Sequence, residues 1–185
     1  MSKNRLRVLG AFALVLTGVQ AGCDTPPTGP EAATPRASVS GAPLLPMVEW
    51  NAPRATAASV TRKVGPLGGV VSAGGVSLTV PPLALARSTS ITLTVPAGEY
   101  VMVDLQPHGL QFRLPSLLVF PLLGTDAGPL SGLVGVYSAS VPQNGLIEAT
   151  ELFDVSLVGS GVGFQINHFS TYAPAQRGGL ILIGG

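Results

Sequence analysis

The chain is 185 residues long with 24 glycines and 17 prolines, and only 10% of it is charged, a composition that excludes long helices with solvated faces. Its formal charge is +1; with Lys3, Arg5 and Arg7 assigned to an N-terminal targeting segment, seven basic residues stand against nine acidic ones, which excludes the electrostatic footprint of a nucleic-acid binder. The single cysteine, Cys23, excludes a disulfide within the chain.

Lys3, Arg5 and Arg7 precede an apolar run from Val8 to Val19 that is too short to span a bilayer comfortably, the layout of an export signal. Gln20-Ala21-Gly22-Cys23 follows and resembles a bacterial lipobox, with Gln20 where leucine is usual. The resemblance implies cleavage between Gly22 and Cys23 and acylation of Cys23, so residues 1–22 are expected to be a lipoprotein signal peptide. Such acyl chains would hold the protein to a bacterial membrane on its extracytoplasmic face; an ordinary secreted protein without lipid is the other reading.

Residues 23–59 are rich in Pro, Ala, Ser and Thr without periodicity, and are expected to form a disordered, semi-rigid linker. Leu44, Leu45, Met47, Val48 and Trp50 interrupt that polarity and suggest a strap packed on the domain or a ligand motif.

The folded domain is expected over residues 60–176. Val76-Ser77-Leu78-Thr79-Val80 and Ile91-Thr92-Leu93-Thr94-Val95 alternate apolar and polar residues, the pattern of half-buried strands. Gly68-Gly69 and Gly74-Gly75 bound a short strand at Val70–Ser72, and Pro81-Pro82 ends the next by removing two ladder donors. Further strands are expected at Tyr100–Leu105, Leu117–Leu122, Leu133–Tyr137, Leu152–Leu157 and Gly163–Phe169. About eight mostly antiparallel strands with little helix predict an all-β sandwich, since one sheet could not cover its own apolar face.

The order Gly65-Pro66-Leu67-Gly68-Gly69, Val76–Pro81, Ala84-Leu85, Ile91-Thr92-Leu93, Pro107-His108-Gly109-Leu110-Gln111-Phe112 and Pro115 resembles the ZU-five domain of zonula occludens proteins, Unc-five netrin receptors and ankyrins. The likeness covers about residues 60–115 and reappears at His168–Tyr172; Leu83 stands where the family commonly has glycine. It implies a β-sandwich binding or structural module.

His168-Phe169-Ser170 is the candidate chemical site. Residues two apart in a strand share a face, so Ser170 is expected to approach His168 if the strand bends, and to attack the Phe169 carbonyl with His168 as general base. Some members of the resembled family cut themselves at this Phe–Ser bond. Against this, Phe164, Ile166, His168 and Ser170 are expected on one apolar face, where a histidine is commonly a hydrogen-bonded core residue.

A hydrolase acting on other molecules has little support. The chain lacks a Gly-x-Ser-x-Gly elbow, its histidines stand in different contexts, and Asp104, Asp126 or Asp154 would have to complete a triad. His108 reads as a turn residue, Gly159–Gly163 as a hairpin connection, and no cofactor or metal is expected. In residues 177–185, Leu180–Ile183 form an apolar tail expected to add a strand to the sandwich edge or to a partner. Function is therefore expected to be non-enzymatic: a lipid-anchored cell-envelope protein presenting a module to an envelope partner.

Overall fold

The computed structural model describes residues 42–140 and 142–179. The signal peptide, the lipobox with Cys23 and the tail Leu180–Ile183 lie outside the described residues. Among those described, fifteen short strands and two single 3-10 turns form the regular structure, and every strand pair is antiparallel.

In chain order the strands are β1 (Leu44–Pro46), β2 (Glu49–Arg54), β3 (Ala58–Val64), β4 (Gly69–Ala73), β5 (Val76–Val80), β6 (Thr89–Val95), β7 (Gly98–Tyr100), β8 (Val103–Gln106), β9 (Gln111–Pro121), β10 (Leu133–Ser138), β11 (Leu146–Glu148), β12 (Glu151–Phe153), β13 (Ser156–Val158), β14 (Gly161–His168) and β15 (Thr171–Gln176). A six-stranded sheet runs β12-β10-β15-β8-β6-β3, and a five-stranded sheet runs β13-β14-β9-β5-β4. Their inner faces share one core, with Ile91, Leu93, Leu105 and Tyr172 from the first meeting Leu78, Leu118, Phe120 and Phe164 from the second. The fold is an all-β sandwich.

The alternating sequences form the strands they predict. In β6, Ile91, Leu93 and Val95 are buried while Thr92 and Thr94 turn outward, where their hydroxyls pair with Thr61 and Ser59 of β3 at 2.8 Å. Gly74 and Gly75 occupy the two-residue turn between β4 and β5 with φ of +59° and +89°, a left-handed pair that branched residues resist. Gly135 serves a different need. A Cβ there would come within 2.6 Å of the Phe164 ring, so its hydrogen lets the two sheets close.

Two expected strands divide. Tyr100–Leu105 becomes β7 and β8, which lie in different sheets, and Leu152–Leu157 becomes β12 and β13, edge strands of opposite sheets. The chain crosses between the sheets at each break, a choice that local alternation does not encode.

The expected domain start at residue 60 is corrected, as is the expected linker over 42–59; residues 23–41 of that linker lie outside the described residues. Among the described residues the first strand is β1, and residue 60 lies inside β3. The six-stranded sheet is apolar on its outer face as well, through Val134, Val136, Ala173 and Ala175. Leu45 and Met47 cover that face together with Ile147 of β11, which pairs with β1. The apolar residues of the supposed linker are therefore a strap forming a third layer, and burial of this second cluster orders them. Val48 reaches the main core.

Candidate functional site

Strand register gathers one set of loops at a single end of the sandwich. Strands β3, β5, β8, β10 and β14 end there, while β4, β6, β9 and β15 begin there. Among these loops lies an open cleft of about 470 Å³ lined by His108, Gly109, Gln111, Tyr137, Ser138, Ala139, His168, Phe169, Ser170 and Thr171.

His168 ends β14 and Thr171 begins β15, so Phe169 and Ser170 carry the chain from the five-stranded sheet to the six-stranded one. The ladder between β14 and β9 shifts just before this corner: Ile166 pairs with Ser116 and His168 with Gln111, leaving Phe112–Pro115 opposite Asn167 alone. Pro115 has no amide hydrogen to donate, which suits it to such a bulge. The bulge brings Phe112 beneath the corner, where it meets Phe169 edge-on with centroids 4.9 Å apart.

This geometry overturns the expected shared face. Phe164 and Ile166 point inward, as alternation requires, but Phe169 is also buried at 2% exposure while Ser170 is half-buried. The strand phase breaks at His168 because Phe169 gains more from the core than a continued strand would give it.

The imidazole of His168 is held by other groups. Its Nδ1 lies 3.1 Å from the Tyr172 hydroxyl, and its Nε2 lies 3.5 Å from Glu151 Oε2. The Tyr137 ring stands edge-on to it at 4.8 Å. Tyr172 Oη–H also donates to the His168 carbonyl at 2.7 Å. A buried tyrosine bonded to the backbone four residues upstream, where the chain turns between sheets, is the arrangement of a tyrosine corner. Burial pushes the Tyr172 phenol far above its ordinary value, with negative charge on Glu151 and then Tyr137 adding to the shift, so it stays a neutral donor.

Backbone bonds tie the Phe169–Ser170 segment down. Phe169 N–H donates to the Leu110 carbonyl at 2.8 Å, and its own carbonyl accepts from Gly109 N–H at 3.3 Å. The Ser170 carbonyl accepts from Leu105 N–H at 3.0 Å. Among the described residues, the non-glycine positions with positive φ are Leu83 and Asn144, so the left-handed strain that could activate a peptide is located elsewhere.

The second histidine, placed in a separate context by sequence, joins the same cleft. His108 Nε2 lies 2.6 Å from Asp104 Oδ1, and Asp104 also accepts from Thr171 Oγ1 at 3.2 Å and Gln106 Nε2 at 3.0 Å. The β8–β15 pairing, Thr171 opposite Asp104, creates this cluster; a residue separation of 67 hid it from local reading. Asp126 instead accepts the Glu49 N–H at 2.7 Å, and Asp154 pairs with Arg177 at 3.2 Å. Among the described residues, no three His, Cys, Asp or Glu side chains come together as a metal-ligating group.

The cleft thus presents hydroxyls, imidazoles and one aromatic edge, a surface able to form hydrogen bonds with a polar partner. His168 is turned toward Tyr172 and Glu151. The chain matches no protein-family model, and no curated protein matches it.

Proposed function

We propose that this chain is a non-enzymatic, lipid-anchored protein of a bacterial cell envelope, whose β-sandwich of the ZU-five kind acts as a protein-binding or structural module. The engagement of His168 by Tyr172 and Glu151 carries the non-enzymatic part of this reading. His168, which would be the base for self-cleavage, already has a structural task at the corner between the sheets. The order of Lys3, Arg5, Arg7, the apolar run and Ala21-Gly22-Cys23 supports export and acylation.

Labelled palmitate tests the anchor. Incorporation into the wild-type chain, its loss in Cys23→Ser and globomycin-sensitive processing are the expected results. A wild-type protein that remains unlabelled and soluble would replace the anchored reading with a secreted one.

A further inference from the structure

We propose that the leucine-tipped end of the sandwich docks on an anionic lipid bilayer. This rests on the reading that Cys23 carries lipid and assigns a second, protein-side contact with the same membrane.

Three loops meet at this tip. Leu83 N–H donates to the Pro66 carbonyl at 2.7 Å, and Arg113 N–H donates to the Ala84 carbonyl at 2.9 Å. They project Leu67, Leu83 and Leu114 to solvent, with 90%, 69% and 44% exposure, and Pro66, Pro82 and Pro115 are exposed beside them. Leu83 holds φ at +67°, a conformation easy for glycine and strained for leucine. A strained leucine in solvent contributes no burial to the fold; apolar side chains clustered at a loop tip mark a contact surface.

Charge identifies the occupant. Segments 58–95 and 106–121, which carry the three leucines, contain Arg62, Lys63, Arg87 and Arg113 and no Asp or Glu; the carboxylates at this end of the sandwich, Asp104, Glu148 and Glu151, stand on β8, β11 and β12. All four cations are exposed, and among the described residues none of them pairs with a carboxylate. Exposed leucines on segments whose charged side chains are all cations suit a surface that is apolar below a layer of phosphates.

The route of the chain agrees. Pro43 accepts from Ala149 N–H, and the next residue, Thr150, donates to the Tyr137 carbonyl close to the end of β10, so the chain enters the domain at the tip's end of the sandwich. The nineteen residues between Cys23 and Pro43 reach about 65 Å at full stretch. An anchor at Cys23 therefore confines the domain near the bilayer and requires least extension when this end faces it.

The test uses the full mature protein reconstituted in vesicles containing phosphatidylglycerol. An environment-sensitive dye is placed on Leu67→Cys, or on Leu123→Cys at the opposite end, which is 77% exposed. Quenching by doxyl-labelled lipid at least threefold stronger at position 67, and reduced by Leu83→Gly or by Arg87→Glu with Arg113→Glu, is expected. Equal quenching at the two positions, or none at position 67, would overturn the proposal. The intact mass of the same sample reports acylation separately: without acyl mass the anchor reading fails, and quenching on added vesicles still decides whether the tip docks.

Discussion

Replacing Tyr172 with phenylalanine removes one oxygen from the corner and leaves the buried ring in place. The hydroxyl donates to the His168 carbonyl at 2.7 Å and meets Nδ1 at 3.1 Å, so the variant leaves two polar atoms without their partner. An unsatisfied buried acceptor costs about 1–3 kcal/mol. The His168 side chain is 26% exposed, allowing water to recover part of that loss, so the expected destabilisation is about 2 kcal/mol. For a domain of this size that lowers Tm by about 4–8 °C. Urea unfolding followed by circular dichroism measures it, with an unchanged m-value confirming the same unfolding transition. A loss under about 0.5 kcal/mol would refute the corner as a stabilising device. The pH profile supplies a second reading. The folded phenol titrates above its ordinary value of 10.0, so its stabilising contribution is complete below pH 10 and is lost as pH rises toward the higher folded value. The wild-type protein should weaken more steeply above pH 10 than Tyr172→Phe.

Gly135→Ala drives a Cβ to within 2.6 Å of the Phe164 ring and should cost about 1–3 kcal/mol by forcing the sheets apart, measured by the same unfolding curves. Leu83→Gly should raise stability by about 0.5 kcal/mol, because relief of the strained φ of +67° outweighs the added freedom of the unfolded chain; calorimetry provides the check. Mass spectrometry of the denatured mature protein after long incubation should find intact chain only. A 16-residue fragment, Ser170–Gly185, abolished by Ser170→Ala, would reinstate self-cleavage.

Val76–Val80 and Ile91–Val95 were legible because alternation is a local property: a strand with one dry face writes that face into every second residue. The turns were legible for the same reason, through Gly74-Gly75 and Pro81-Pro82. The candidate site was legible only as a location. His168-Phe169-Ser170 drew attention by residue type, but its meaning depends on Tyr172, Glu151 and the bulge at Phe112–Pro115, which arrive from other strands. Asp104 stood only as one of three possible triad members and His108 as a turn residue, because their links to Thr171 and to the His168 cleft exist only once β8 lies beside β15.

The strap shows the converse. Leu44–Val48 has no period, and its neighbours resemble a linker in composition, yet Leu45, Met47 and Val48 are almost wholly buried. Their order depends on a second apolar face formed by Val134, Val136, Ala173 and Ala175. A face becomes visible only after those strands pair.

The sequence by itself determined an all-β chain, the positions of its principal turns and the expectation of an anchored N-terminus. Tertiary structure decided which strands cross between sheets, that strands precede residue 60 and which groups hold His168 at the corner. The division follows the range of the forces: backbone preference and side-chain alternation act over neighbouring residues, whereas strand register and burial join residues far apart in the chain.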